Sequence, residues 1–123
     1  MRIVLIGYGR MGQAVERVAT ARGHSIVGVI RRATPASERE SLAHAADALI
    51  DFSHASAVTE SIELALRMQR PLVIGTTGWD AQREAIAQRV REAGGSVLYA
   101  PNFSVAVQVY LQHAVALAAQ LLR

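Results

Sequence analysis

Near the amino terminus stand six residues, Gly7-Tyr8-Gly9-Arg10-Met11-Gly12, with the spacing G-x-G-x-x-G. They follow an apolar run, Arg2–Ile6, and open a segment with helical periodicity, Gly12–Arg22. In that place the chemistry on offer is anion binding. The first glycine permits a tight turn, the second lets a backbone approach a pyrophosphate, and the third lets the helix lie close to the strand. Free amides and the positive end of the helix then face the phosphates.

Roughly twenty residues further on, a dinucleotide fold commonly carries an acid that accepts from the adenosine ribose. Here the second apolar run ends in Arg31-Arg32 instead. Two guanidiniums suit a ribose 2′-phosphate, each charge-assisted bond contributing roughly 1.5–3 kcal/mol. NADPH is therefore expected to be preferred, with NADH also accepted. A solvated pair of arginines opening a loop is the alternative.

Two further loops are expected at the same crevice. Gly75-Thr76-Thr77-Gly78 follows the fourth apolar run and Ala100-Pro101-Asn102-Phe103-Ser104 the fifth. In an open parallel sheet the ligand lies beyond the carboxyl ends of the strands. The threonine hydroxyls and the Asn102 amide offer polar contacts there, and Phe103 a flat surface for a nicotinamide ring; a plain turn is the competing reading of either loop.

Other chemistry is argued against. Asp51-Phe52-Ser53-His54 holds a Ser, a His and an Asp, but side chains at i and i+1 on a strand end point apart, which disfavours a nucleophile triad. His24, His44 and His113 have no second ligand at helical spacing. Tyr8, Met11 and Trp79 are expected to serve packing. Neither a metal site nor a general acid or base stands out.

These residues need strands to carry them. Arg2–Ile6, Ser25–Ile30, Ala48–Phe52, Leu72–Gly75 and Ser96–Tyr99 are short and almost wholly apolar, as expected of parallel strands covered on both faces. Helical patterns fall at Gly12–Arg22, Ala55–Gln69 and Asp80–Ala93, with Asp80 as N-cap, and a short helix is expected near Ser41–Ala46 after an exposed loop. The alternation predicts an α/β, Rossmann-type, doubly wound parallel sheet of about five strands. The last segment, Ser104–Leu122, is a long helix more apolar than one sheet face requires, and self-association through it is a further expectation.

With 123 residues, 51% of them apolar, the chain is expected to form one domain spanning residues 1–123. All thirteen basic residues are arginines, balanced by ten acids and scattered rather than clustered, so no nucleic-acid partner is implied. Without cysteine there is no disulfide or thiolate metal site. The first apolar run is too short for a membrane span or a signal peptide, and a cytoplasmic setting is expected.

Taken in order, GYGRMG at 7–12, DFSH at 51–54, IGTTGWD at 74–80 and APNFSVAV at 100–107 resemble the N-terminal part of bacterial dihydrodipicolinate reductase (4-hydroxy-tetrahydrodipicolinate reductase). The resemblance implies a diaminopimelate and lysine pathway enzyme that passes hydride from NADPH or NADH to a cyclic dicarboxylate. It assigns Gly7 to Gly12 to the pyrophosphate, Arg31 and Arg32 to the adenosine ribose or its phosphate, and Gly75 to Thr77 with Ala100 to Phe103 to the nicotinamide half. The family often has an acid where this chain has Arg31, and a glycine where it has Ala106. The family's second domain carries a His-His and Lys motif and a Pro-Ser-Gly-Thr loop, which grip the substrate, and these have no counterpart here. The chain alone is therefore expected to bind cofactor, to assign no catalytic residue, and to turn over little or not at all. A non-catalytic dinucleotide-sensing or oligomerising module is the rival expectation.

Overall fold

The computed structural model describes residues Met1–Leu122. Five strands, β1 (Arg2–Ile6), β2 (Ser25–Ile30), β3 (Ala48–Asp51), β4 (Leu72–Ile74) and β5 (Val97–Tyr99), form one sheet in the order β2-β1-β3-β4-β5. Every pairing is parallel. The helices are α1 (Arg10–Ala21), α2 (Ala36–Ala45), α3 (Val58–Met68), α4 (Arg83–Glu92) and α5 (Val105–Leu121). The chain runs outward from β1 to β2 and then crosses back to β3 on the other side of β1. The strand order therefore reverses between β1 and β3, where an open α/β sheet leaves a crevice at its carboxyl edge.

The expected strands are found to within one residue. Alternation along them separates two cores. Val4, Ile6, Leu49, Leu72 and Ile74 pack with Ile30, Val58, Ile62, Ala65 and Trp79 beneath α2, α3 and α4. On the opposite face, Ile3 and Leu5 pack with Ala19 of α1, and Val15, Ile26 and Ile50 border them. Buried branched side chains dominate both, and each contributes about 1.5–3 kcal/mol by leaving water.

Coverage of both faces holds only for half of the sheet. Ile50, Val73 and Leu98 share the α1 face in adjacent registers, yet the packing beneath α1 extends no further than Ile50, and Leu98 is 59% exposed. Nor does α5 fill the gap: none of its residues is buried.

Four helix starts differ from expectation: α1 begins two residues early, at Arg10, and three others shift for local reasons. α2 begins at Ala36, directly after Pro35, whose φ of −61° suits a helix entrance; the proline starts the helix rather than holding a loop open. Asp80 is not an N-cap, because residues Asp80–Gln82 form a 3-10 turn and α4 starts at Arg83. A similar turn, Ala55–Ala57, precedes α3. Gly23 and Gly94 end α1 and α4 with positive φ, and Gln69 does the same work after α3 with φ 50°. Ser104 caps α5, its hydroxyl accepting from the Val107 amide at 3.4 Å.

Candidate dinucleotide site

The turn from β1 into α1 is shaped by contacts that leave little choice of residue. Gly7 has φ +85°, and a Cβ there would stand 2.5 Å from the Phe52 carbonyl oxygen. Its amide donates to the Ile30 carbonyl at 2.9 Å, pinning the turn to the end of β2. A Cβ at Gly12 would lie 2.7 Å from the Gly7 carbonyl oxygen, so the helix rests directly on the turn. Gly9 is different. A Cβ there would meet nothing within 4 Å, so nothing within the fold demands glycine, and the space it keeps clear faces outward.

Gly9 is also the N-cap of α1, with no side-chain cap. The first helical bond runs from the Gln13 amide to the Gly9 carbonyl at 3.1 Å. The amides of Arg10, Met11 and Gly12 therefore have no intrahelical acceptor. Alongside lies a cleft of about 430 Å³ bordered by Gly9, Arg10, Met11, Phe52, Ser53, His54, Gly75, Thr76 and Thr77. Donors pointing out of a helix end into open space match the chemistry of a diphosphate. Met11 borders this cleft and is half exposed rather than packed. Trp79 is buried as expected, its indole N–H donating to the Thr76 carbonyl at 2.7 Å and its ring meeting Tyr99 edge-on at 4.6 Å.

A second cleft of about 460 Å³ opens on the other side of the turn, lined by Gly7, Ile30, Arg31, Arg32, Arg39, Ser53, His54, Ala57 and Glu60 among others. Ser53 and His54 border both clefts. The structure thus brings the glycine turn and the two arginines to one continuous edge, with the β3 loop between them. Arg31 lays its guanidinium over the Tyr8 ring, 4.9 Å from the centroid. Tyr8 donates its phenol to Glu16, and that bond first, then burial, holds the phenol proton above its ordinary range against the opposing charge of Arg31. Arg32 is exposed and has no ion pair among the described residues.

Behind the turn, sequence reading missed a clasp. Asp51 is fully buried at the end of β3. Its Oδ1 accepts from the Ser53 amide at 2.8 Å, the Ser53 hydroxyl at 2.6 Å and the Thr76 hydroxyl at 2.8 Å. The Ser53 amide also donates to Thr76 Oγ1 at 2.9 Å. One carboxylate oxygen thus ties the β3 loop to the β4 loop, and those loops back the two clefts. The cost is an Asp51 Oδ2 left buried with no partner. A polar residue closing an otherwise apolar central strand is the signal that could have announced it. Because Thr76 spends its hydroxyl on the clasp, that group is not free for a ligand as expected, whereas Thr77 is exposed.

The same bonds dispose of a triad. The Ser53 hydroxyl donates to Asp51, and no bond joins it to His54, so there is no nucleophile and base pair. The described residues contain no group of three or more potential metal ligands.

The loop after β5 stands apart. Ala100, Pro101, Asn102 and Phe103 lie beyond the neighbouring strand and border neither cleft. Asn102 uses its side-chain oxygen to accept from the Ser104 amide at 2.8 Å, fixing the start of α5. Phe103 remains 43% exposed. No helix among the described residues is long and apolar enough to cross a membrane.

Comparison with known proteins bears on the family and the fold. Residues 1–103 match the family model described as "Dihydrodipicolinate reductase, N-terminus". The 4-hydroxy-tetrahydrodipicolinate reductase of Zymomonas mobilis is 39% identical over 116 residues, covering 89% of this chain and 44% of that protein. The enzyme of the same name from Natronomonas pharaonis is 37% identical over 121 residues, covering 91% of this chain and 49% of the other. The chain thus spans just under half the length of these relatives. Among solved structures, a UDP-N-acetylglucosamine 3-dehydrogenase from Acidithiobacillus ferrooxidans superposes with a TM-score of 0.68 at 18% identity, covering 93% of this chain and 43% of that one. A homoserine dehydrogenase from Thiobacillus denitrificans gives 0.54 at 16% identity, covering 80% and 29%; at such identities the likeness shows the Rossmann-type fold alone. By its sequence match across residues 1–103, the chain belongs to the dihydrodipicolinate reductase family, in the family's N-terminal part.

Proposed function

We propose that this chain is the NAD(P)H-binding domain of a 4-hydroxy-tetrahydrodipicolinate reductase of the diaminopimelate and lysine pathway. The observation that carries the reading is the pairing of open α1 amides with clear space at Gly9, in a chain that belongs to this family. The amides of Arg10, Met11 and Gly12 hold the pyrophosphate, and Gly7 and Gly12 shape the turn that aims them. Arg31 and Arg32 receive the adenosine 2′-phosphate, which favours NADPH over NADH. Gly75 to Thr77 cradle the nicotinamide half at the first cleft, and Phe103 offers its exposed ring from the neighbouring loop. Bound there, the reduced nicotinamide supplies hydride to a cyclic dicarboxylate. The chain's own residues orient the cofactor and supply no general acid or base, so turnover by these 123 residues is expected to be slight.

Calorimetric titration with NADPH and with NADH tests the reading. Saturable binding of both, tighter for NADPH by about tenfold or more, is expected. Absence of binding, or equal affinities, contradicts the reading or its arginine component respectively. A coupled reductase assay showing ordinary turnover would contradict the passive role.

One observation favours a second reading, a dinucleotide-sensing or oligomerising module without chemistry: α5 carries no charged residue and buries none of its side chains. Sedimentation with and without NADPH separates the two. Ligand-coupled dimerisation supports the sensor, and a ligand-binding monomer supports the reductase domain.

A further inference from the structure

The Arg31–Thr34 turn links β2 to α2 and presents its two arginines to solvent. Left alone, such a turn would scatter its guanidiniums over many directions. It is not left alone. The Arg31 amide donates to the Thr34 hydroxyl at 2.9 Å, and the Thr34 amide donates back to the Arg31 carbonyl at 3.0 Å. From the first turns of α2, Arg39 then reaches back across it. Its Nε donates to the Thr34 carbonyl at 2.7 Å, and its Nη2 to the carbonyls of Arg32 at 3.0 Å and Arg31 at 3.3 Å. Its Nη1 lies 2.7 Å from Glu60 Oε1 on α3, and the side chain is only 16% exposed.

We propose that Arg39 is the positioning residue for the 2′-phosphate subsite, acting through the turn it holds. This rests on the reading that Arg31 and Arg32 receive that phosphate. The charge of Arg39 is already matched by Glu60 and its donors are engaged by three carbonyls, so it acts on the phosphate through the backbone it fixes. Only a planar fork can address those acceptors at once; an ammonium is a single point charge. The pairing has a second effect. Glu60 lines the same cleft as Arg31 and Arg32, and Arg39 keeps its carboxylate from standing there as a free anion. Loss of Arg39 therefore loosens the phosphate's receivers and frees a charge that repels it, while a ribose with a plain 2′-hydroxyl meets no such repulsion.

The test is the ratio of NADPH to NADH affinity, measured by fluorescence titration of the whole chain and of Arg39→Met, Arg39→Lys, Thr34→Val and Arg32→Gln. A lesion that merely damages the fold lowers both affinities together and leaves the ratio standing. Arg39→Met is expected to cut the ratio by about tenfold, and Arg39→Lys to fail to restore it. Thr34→Val, which removes one bond of the turn and no charge, should lower the ratio a few-fold. A ratio that falls in Arg32→Gln but is untouched in Arg39→Met overturns the proposal and leaves the arginine reading intact. Recovery of the ratio by Arg39→Lys also overturns it, because charge alone would then suffice. Should the Arg39 variants fail to fold, an unchanged ratio in Thr34→Val does the same. A wild-type chain with no preference for the 2′-phosphate sinks both readings together.

Discussion

The two ends of this sheet are built differently. At the β2-β1-β3 end, strands are covered on both faces, and the loops at their carboxyl edge are tied together by Gly7 against Phe52, by the Asp51 clasp and by the Arg39 tether. At the β4-β5 end, one face of the sheet carries Val73 and Leu98 without a helix above them, and α5 leads away with every turn exposed. The packed end is where the candidate phosphate contacts are. The bare end carries both loops assigned to the nicotinamide half: Gly75 to Thr77, which borders the first cleft, and Ala100 to Phe103, which borders neither. On the proposed reading, the adenosine and diphosphate portions of the cofactor meet the packed end, whereas its nicotinamide half lies toward the end whose apolar groups are unburied.

Side chains at the two ends should then respond unequally to truncation. Leu49→Ala, in the packed core, should cost about 2–5 kcal/mol of unfolding free energy in urea titration. Leu111→Ala, on exposed α5, should change it by no more than about 0.5 kcal/mol. Equal costs would mean that α5 is covered in solution, and concentration-dependent stability would identify a second copy as its cover.

The clasp provides a smaller effect. Asp51→Ala takes the carboxylate acceptor from the buried Thr76 hydroxyl and from the Ser53 hydroxyl, a loss of about 1–3 kcal/mol, and should weaken NADPH binding through the loosened β3 and β4 loops. Asp51→Asn retains an acceptor for those donors and should recover most of both. If alanine proved harmless to affinity, the clasp would not shape the site.

The smallest effect is at the opposite edge of the packed half. Asp47 accepts from the Arg2 side chain at 2.8 Å and the Arg2 amide at 2.6 Å, and these bonds hold its carboxyl down at about 2 from the ordinary 3.8. Because the folded value is the lower one, the stabilisation is fully present above pH 3.8 and is lost as pH falls toward 2. Melting curves of wild type and Asp47→Asn should therefore differ slightly at neutral pH and converge on acidification. A gap that widens in acid would reverse the sign of this account.

How much could be read beforehand follows the same division. Strand positions and the parallel α/β class were legible because unbroken apolar runs separated by helical periods leave few alternatives. The glycine turn was legible because its constraints are local: a positive φ, a near contact and a helix start all lie within six residues. Pro35 misled, since a proline breaks a helix interior but opens a helix at its first turn. Arg39 and the clasp were illegible for a different reason. Each joins groups far apart in sequence, Arg39 with Glu60 and Asp51 with Thr76, and nothing in local spacing distinguishes a tethering arginine from a solvated one. The bare face was missed because apolar composition shows that a strand needs cover, not whether cover is present.

The central claim is that the amides at the start of α1 hold a diphosphate in the space Gly9 keeps open. Gly9→Val tests it most directly, because the added side chain meets no atom of the fold within 4 Å of its Cβ yet fills the place the phosphates would take. Calorimetry on this variant should show NADPH uptake abolished while the melting temperature stays within a few degrees of the parent. Undiminished NADPH binding by a folded Gly9→Val protein would contradict the account.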